Sequence, residues 1–432
     1  MSIEVSWVPI GSIKPDPGNA RTHSESQIAK IANSIEQFGF NNPILIDKRN
    51  VVIAGHGRLE AAKCLELQSV PVIRLEHLTP AQRKAYMLAD NKLAELAGWD
   101  LPQLAVEFQA LLDMDLQFEI TDTGFEMAEI DQVLEESRLV EAGVEYEDEI
   151  PRLEDVEPVA RPGDLWRLGN HLLFCGDALQ AESYVALLGS ERANVVFTDP
   201  PYNVPIDGHV SGLGKTRHRE FVQGAGEMSD AEFSEFLATF CRHLAQFSTD
   251  GSIHFICMDW RHVDQLIAVG RKAYSELKNI CVWAKPNAGM GSLYRSQHEF
   301  VVVFKSGTRP HQNNVKLGVH GRNRSNLWTY QGMSGFQKGR DEKLAMHPTV
   351  KPVAMIADAT MDCSSRGDLV LDPFAGSGST ILAAERCGRR CRAIELDPRY
   401  VDVALARYEK ATGKTPERIA CGILSGDSNG QG

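Results

Sequence analysis

The chain has 432 residues, of which 43% are hydrophobic and 24% are charged, and its net charge is −13. This composition is typical of a folded protein of at least two domains and excludes a disordered chain. No apolar run approaches the ~18 residues of a membrane helix, and residues 1–10 do not resemble a signal peptide. The nine cysteines include no CxxC pair, which predicts reduced thiols in a cytoplasmic protein and no structural metal.

The first third of the chain predicts a small α/β domain. Apolar residues recur every three or four positions between Glu25 and Phe38, which predicts an amphipathic helix, and Gly39 is suited to end it. Further predicted strands and helices alternate at residues 42–48, 51–55, 57–67, 70–75 and 79–96.

An acidic segment divides the chain. Ten acidic and two basic residues lie between Glu135 and Glu157, with little periodicity. We therefore predict a linker at residues 135–160, after a first domain with a helical extension at 1–134. A second domain is predicted at 161–415, followed by a flexible Gly/Ser-rich tail at 416–432.

The second domain alternates strand-like apolar runs with helical stretches. This alternation favours a mostly parallel, doubly wound sheet. The runs lie at residues 171–177, 193–201, 252–258, 279–285, 299–305, 368–374 and 391–397.

A rigid acceptor loop follows one of these strands, at Asp199-Pro200-Pro201-Tyr202. Two consecutive prolines fix the backbone and remove two N–H donors, so the loop offers a carboxylate and carbonyls as acceptors only. An exocyclic amino group has two N–H donors and suits such a loop. The Tyr202 ring offers a face on which a base can stack.

A glycine-rich turn joins the strand at 368–374 to a helix. Gly376 and Gly378 allow a tight bend and a close approach of a ligand to backbone amides. Glu395 ends the next predicted strand, where an acid accepts hydrogen bonds from ribose hydroxyls in nucleotide-binding α/β folds. The third glycine of a dinucleotide fingerprint is missing, which weakens a nicotinamide-binding interpretation.

Together the two motifs resemble those of the DNA amino-methyltransferases, in the permuted order of the β group. The resemblance spans residues 160–412 and implies a Rossmann-like seven-stranded α/β domain that binds S-adenosyl-L-methionine and needs no metal. Asp199, Pro200, Pro201 and Tyr202 match the catalytic motif. The residues expected at the cofactor are Asp177, Lys351 in a His-Pro-Thr-x-Lys-Pro segment, Asp372, Phe374, Ala375, Gly376, Ser377, Gly378 and Glu395.

Basic residues near these motifs predict contacts with double-stranded DNA. Eight basic and two acidic residues lie between Lys305 and Lys343, interleaved with aromatic residues, as in nucleic-acid interfaces. The resemblance implies a target-recognition insert at 305–345 and a loop near the flipped base after Tyr202. The candidate phosphate contacts are Lys215, Arg217, Arg219, Arg322, Arg324 and Lys338.

Residues 8–95 resemble the ParB-like domain of the partition and sulfiredoxin-like superfamily. Gly55, His56, Gly57 and Arg58 open a predicted helix, whose amides and dipole favour an anion. They form a candidate phosphate or nucleotide site. Partition proteins usually carry an acid and an arginine where His56 and Gly57 stand, so a domain that only positions DNA or a partner is the favoured interpretation.

These features predict a bacterial or phage-encoded, nucleoid-associated DNA methyltransferase that flips its target base. In the family that the chain resembles, Asp at the first motif position usually accompanies adenine and Ser cytosine, so Asp199 favours adenine N6 over cytosine N4. A solitary enzyme of prophage origin, a restriction–modification partner and a homodimer all remain open. Other classes are a nucleotide-dependent ParB-like DNA-binding or nuclease protein with an accessory methyltransferase domain, a non-catalytic DNA-binding protein, and a methyltransferase acting on RNA or protein.

Overall fold

The computed structural model describes residues 4–141, 150–151, 153–204, 226–285, 288, 293–315, 322–330 and 350–419. The chain divides into two compact units, Met1–Glu141 and Ala142–Gly432. Among the described residues, no helix is long and apolar enough to cross a membrane. Within the same ranges, no group of His, Cys, Asp and Glu side chains is arranged to hold a metal ion.

A four-stranded mixed sheet forms the centre of the first unit. Its strands are β1 (Val5–Pro9), β2 (Ile44–Ile46), β3 (Val52–Ala54) and β4 (Ser69–Arg74), in the order β1-β4-β2-β3. β4 is antiparallel to β1 and parallel to β2. Apolar side chains of β2, β3 and β4, with Leu59 from the helix beside them, form its buried core.

Five helices accompany this sheet: α1 (Glu25–Phe38), α2 (His56–Cys64), α3 (Pro80–Glu95), α4 (Leu101–Leu112) and α5 (Met127–Glu141). The backbone N–H of Gln27 donates to the Ser24 hydroxyl and caps the start of α1, which ends at Gly39 with φ of 87°. The amphipathic helix predicted there is confirmed.

The helical extension of the first domain continues into the segment that we predicted to be a linker. α4 and α5 enclose a separate apolar cluster around Leu104, Phe108 and Ile130. Val133 and Leu134 continue the buried face of α5 against it, so the helix runs on to Glu141. Residues 135–141, predicted as part of the linker at 135–160, are therefore helical.

A ten-stranded sheet forms the second unit. Its strands are β5 (Leu165–Leu168), β6 (His171–Cys175), β7 (Ala193–Thr198), β8 (Ser248–Met258), β9 (Glu276–Ala284), β10 (His298–Lys305), β11 (Leu327–Thr329), β12 (Leu369–Asp372), β13 (Arg390–Glu395) and β14 (Glu417–Ile419). Their order is β11-β9-β10-β8-β7-β12-β13-β6-β5-β14. The strands from β6 to β8 are parallel, and β10 runs antiparallel between β8 and β9.

The expected seven-stranded sheet is present as the central part, from β9 to β6. Short edge strands extend it to ten: β11 beside β9, and β5 and β14 beyond β6. Residues 417–419, predicted to belong to a flexible tail, form β14, because their backbone pairs with the open edge of β5.

Helices cover both faces of this sheet, as the predicted doubly wound fold requires. Val195 and Phe197 of β7 point into one apolar cluster, while Val196 between them points into the other. The first cluster includes side chains of α9, α10 and α11, and the second those of α6, α7 and α8. These helices span Ala181–Leu188 (α6), Asp230–Gln246 (α7), Val263–Ala273 (α8), Val353–Cys363 (α9), Ser379–Arg386 (α10) and Pro398–Thr412 (α11).

The order of the sheet places a ligand site between β12 and β7. From β12 the chain continues to β13 on one side, whereas from β7 it continues to β8 on the other. In open parallel sheets a crevice forms at the carboxyl ends of the strands at such a reversal. The loop beginning at Asp199 and the turn beginning at Pro373 leave the sheet at that edge.

Candidate active site

A cleft of about 1200 Å³, including space open to solvent, lies at this reversal. It brings together residues predicted as catalytic and as cofactor-binding from five separate chain segments. Those that line it are Asp177, Asp199, Pro200, Pro201, Tyr202, Lys351, Asp372, Phe374, Ala375, Gly376, Ser377 and Glu395. Gly378 lies beside the cleft, at the N-terminus of α10.

The glycine-rich turn forms one wall of the cleft. Gly376 and Gly378 have φ angles of 51° and 82°, in the left-handed region that favours glycine. A Cβ atom on Gly376 would meet no atom within 4 Å, so open space lies above its backbone. A Cβ on Gly378 would lie 3.0 Å from the Cβ of Ala404 in α11, so the helix packs closely on the turn.

Glu395 is fixed at the end of β13 by two backbone amides. The N–H of Gly376 donates to one carboxylate oxygen and the N–H of Asp397 to the other, both at 2.8 Å. Burial outweighs these bonds and raises the pKa of Glu395 to about 7. The carboxyl group is thus rigid and faces the cleft.

Asp372 is fixed at the end of β12 in a similar way. The hydroxyls of Thr198 and Thr380 donate to its two oxygens at 2.8 and 2.6 Å, and Phe374 N–H donates at 3.0 Å. Burial raises the pKa of Asp372 to about 6. These bonds tie β12 to β7 and to α10, on either side of the cleft.

Asp177 approaches the cleft from the end of β6. The N–H of Leu179 donates to its carboxylate at 2.9 Å, which orders the loop. The N–H of Gly176 donates to the Glu395 carbonyl at 2.9 Å, so this loop follows the end of β13.

The acceptor loop also lines the cleft. Asp199 follows β7 directly, and the Tyr202 hydroxyl donates to its Oδ1 at 2.5 Å. The ammonium of Lys351 contacts Asp199 Oδ2 at 2.6 Å and the Tyr202 oxygen at 3.1 Å. Lys351, expected along the cofactor, therefore has its charged end against the acceptor loop.

Two further charged residues reach this loop, and sequence reasoning did not single them out. Glu299 Oε2, in β10, lies 3.0 Å from Lys351 Nζ and 3.2 Å from the Tyr202 hydroxyl. Lys285, directly after β9, forms an ion pair with Glu299 Oε1. The sequence signal that could have identified them is their position, since Lys285 ends the apolar run at 279–285 and Glu299 begins the one at 299–305.

The charges set the protonation states of this cluster. Burial raises the pKa of Asp199, Lys351 acts to lower it, and Glu299 acts to raise it, so it ends above its ordinary value. Burial also acts to raise the pKa of Glu299, but the two lysines bring it down to about 2. Burial acts to lower the pKa of Lys351, and Asp199 and Glu299 together raise it above its ordinary value.

The predicted DNA contacts have a mixed outcome. Lys215, Arg217, Arg219 and Lys338 lie outside the described residues. Arg322 and Arg324 do not fit the prediction, because they form ion pairs with Asp358 and Asp362 of α9. Arg322 is only 8% exposed. These arginines attach the 322–330 segment to α9 and are not placed to bind phosphates.

In the first unit, Gly55, His56, Gly57 and Arg58 lie at the start of α2 as predicted. Gly55 has φ of 98°, and a Cβ on Gly57 would lie 3.0 Å from the Ile31 side chain. The Arg58 guanidinium donates to the Asn42 carbonyl at 3.1 Å, and the Asp16 N–H donates to the His56 ring at 3.3 Å. These contacts give each residue a role in the fold, and nucleotide binding there stays a prediction.

Three protein families match successive parts of the chain. A ParB N-terminal domain matches residues 2–91, a ParB-methyltransferase helix-turn-helix domain matches residues 102–162, and a DNA methylase matches residues 193–406. The helix-turn-helix match covers α4, α5 and the acidic segment, where we had predicted a helical extension and a linker.

Individual relatives match each part. The ParB-like nuclease domain-containing protein YnaK of Escherichia coli K12 is 46% identical over 82 residues, which are 19% of this chain and 94% of that protein. The type II methyltransferase M2.MboI of Moraxella bovis is 24% identical over 229 residues, 51% of this chain and 81% of that enzyme. The solved M1.HpyAVI–SAM complex aligns with 19% identity and a TM-score of 0.39 over 55% of this chain and 98% of that one.

The chain therefore carries three domains in succession: a ParB N-terminal domain, a ParB-methyltransferase helix-turn-helix domain and, at residues 193–406, an N6/N4 DNA methylase domain. Both resemblances recognised in the sequence are confirmed.

Proposed function

We propose that this protein transfers a methyl group from S-adenosyl-L-methionine to the N6 amino group of adenine in double-stranded DNA. The observation that carries the proposal is that the Asp199–Tyr202 acceptor loop lines the same cleft as Gly376 and Glu395. One wall suits a nucleoside with free ribose hydroxyls, and the other suits an amino group.

The nucleoside wall fits the methyl donor. Open space lies above Gly376. Each Glu395 oxygen accepts one backbone N–H, and because a carboxylate oxygen has two lone pairs, each can accept a further hydrogen bond from a ligand. Glu395 would accept from the ribose hydroxyls, and Asp177 would contact the adenine ring. The bound donor supplies an electrophilic methyl group on a sulfonium.

The acceptor loop prepares the target nitrogen. Pro200 and Pro201 donate no N–H, so the Asp199 carboxylate and the Pro200 carbonyl meet the two amino hydrogens as acceptors. Two acceptors on these hydrogens favour a pyramidal nitrogen, whose lone pair is then directed away from the ring and towards the methyl group. Asp199 takes the proton that the nitrogen loses. The protein thus contributes positioning and electrostatic stabilisation.

Adenine is the proposed target because an aspartate stands at the first position of the motif. Cytosine N4 is the alternative, since its amino group presents the same two donors to the same acceptors. The base is identified by the methylated nucleoside formed in digested DNA, N6-methyladenine or N4-methylcytosine.

Substitution of the central acceptor tests the reaction. Asp199→Asn keeps the side chain's size but replaces one acceptor oxygen with a donor. We expect transfer to fall at least about 10³-fold, while calorimetry shows binding of S-adenosyl-L-methionine within about threefold of wild type. Asp230→Asn, at the exposed start of α7, is the control. Near-normal transfer by Asp199→Asn would contradict the assignment.

A further inference from the structure

A row of four alternating charges lies behind the acceptor loop, and the reaction proposed above accounts for only one of them, Asp199. Lys285 pairs with Glu299, Glu299 lies 3.0 Å from Lys351, and Lys351 lies 2.6 Å from Asp199. The side chains of Lys351 and Glu299 are only 3% and 11% exposed. Four ionic groups are thus arranged as two cations alternating with two anions.

Neighbouring strands hold the outer pair in place. β9 and β10 are antiparallel with Glu299 opposite Trp283, so Lys285, two residues after Trp283, reaches Glu299. The Trp283 ring lies 4.8 Å from Lys285 Nζ and 6.0 Å from Lys351 Nζ, positions that suit cation–π contacts.

Packing does not explain why these charges are buried. Removing charges from water costs free energy, and apolar residues of similar size often stabilise a fold as well as a buried ion pair does. Strongly perturbed ionisable groups within a cleft are typical of functional sites. The row of charges ends at Asp199, so it acts on the proton affinity of that carboxylate.

We propose that Glu299, held by Lys285, is a positioning residue that divides the Lys351 ammonium between two carboxylates and so keeps Asp199 an effective proton acceptor. This inference rests on the proposed methyl transfer. In that step the amino nitrogen forms a C–N bond to the methyl carbon while the C–S bond breaks and leaves its electron pair on the now neutral sulfur. An amino N–H bond breaks, an O–H bond forms on Asp199, and the proton leaves to solvent when the product departs.

Electrostatics explains the need for a second carboxylate. Paired with Asp199 alone, Lys351 would stabilise its charged form and reduce its affinity for the proton. Glu299 opposes that effect with a negative charge, and Lys285 compensates the charge of Glu299. The ionisable groups whose charges act on Asp199, or on which it acts, are Lys351 before α9, Glu299 in β10, Tyr202 in its own loop, Cys257 in β8 and Asp372 in β12.

Two substitutions shift the proton affinity of Asp199 in opposite directions. Glu299→Gln removes the negative charge but keeps an acceptor for Lys351. We expect the single-turnover rate of transfer at pH 7.5 to fall about tenfold, and the acid limb of its pH profile to move about one unit to lower pH. Lys285→Met removes a positive charge, and the acid limb should move to higher pH by roughly half a unit.

The other end of β9 offers a matched control pair. Glu276 and Lys278 of β9 form an ion pair at 3.0 Å on the exposed part of the strand. Glu276→Gln and Lys278→Met remove the same charges and should leave both rate and pH profile unchanged. Binding of S-adenosyl-L-methionine by each variant reports whether the cleft is folded.

The outcomes separate this inference from the proposed function. Opposite shifts of the acid limb in the two variants support it. A rate loss without a shift, or shifts in the same direction, would mean that Glu299 is only structural and would overturn it. If Glu299→Gln does not fold, an unmoved acid limb in Lys285→Met also overturns it. A wild-type chain that binds cofactor but transfers no methyl group overturns the proposed function as well.

Discussion

Replacing Gly378 with alanine should destabilise the methylase unit through both backbone and packing. The residue has φ of 82°, a conformation that costs an L-residue about 1–2 kcal/mol. The new Cβ would also lie 3.0 Å from Ala404 Cβ, closer than the ~3.5–4.0 Å of ordinary carbon contacts. Such overpacking costs roughly 1–3 kcal/mol, and the stiffer unfolded chain returns about 0.4–1 kcal/mol. We expect a net loss of about 2–4 kcal/mol.

Urea unfolding of the cofactor-free chain, followed by tryptophan fluorescence, measures this loss. Gly413→Ala is the control, because Gly413 has φ of 70° but no atom within 4 Å of its added Cβ. The control has the same backbone cost and the same gain from the stiffer unfolded chain, so it should lose only about 0.5–1 kcal/mol. Equal losses in the two variants would refute the argument that α11 packs closely on the turn.

Two other predictions concern Glu395 and Arg322. If the donor's ribose binds the ionised carboxylate, the pKa of about 7 predicts that S-adenosyl-L-methionine binds about tenfold more weakly at pH 6 than at pH 8, and calorimetry should find this dependence lost in Glu395→Gln. Without cofactor, the stability that protonation of Glu395 contributes is complete below the ordinary pKa of 4.5 and is lost as the pH rises through about 7. Arg322→Met removes a buried partner of Asp358 and Asp362 and should cost about 3 kcal/mol in urea unfolding. A lower salt dependence of DNA binding in that variant would instead restore the predicted phosphate contact.

Much of the central fold can be predicted from hydrophobic periodicity. The apolar runs of β6, β7, β8, β10, β12 and β13 are long enough to be recognised singly, and their alternation with helices specifies a parallel sheet. β11 and β14, with three residues each, exist because an edge of the sheet offers them a partner. Local sequence does not contain that information.

The candidate active site likewise contains residues that can be predicted from the sequence and residues that cannot. Asp199 to Tyr202 and Gly376 to Gly378 are contiguous motifs, and the sequence places each beside a strand. Glu299 is separated from Tyr202 by 97 positions along the chain and reaches it through strand order alone.

Basic residues gave the least secure predictions. Arg322 and Arg324 look like phosphate contacts in a basic segment, yet their carboxylate partners follow 34 to 40 residues later on α9. Whether an arginine faces solvent or an acid depends on tertiary packing, which charge patterning does not reveal.

The most direct test of the account is to identify the product. The purified full chain is incubated with unmethylated double-stranded DNA and S-adenosyl-L-methionine, and the digested nucleosides are analysed by mass spectrometry. The proposed reaction yields N6-methyladenine with the wild-type chain and none with Asp199→Asn. N4-methylcytosine would retain the mechanism and change the base, whereas no methylated nucleoside, with cofactor binding demonstrated, would contradict the account.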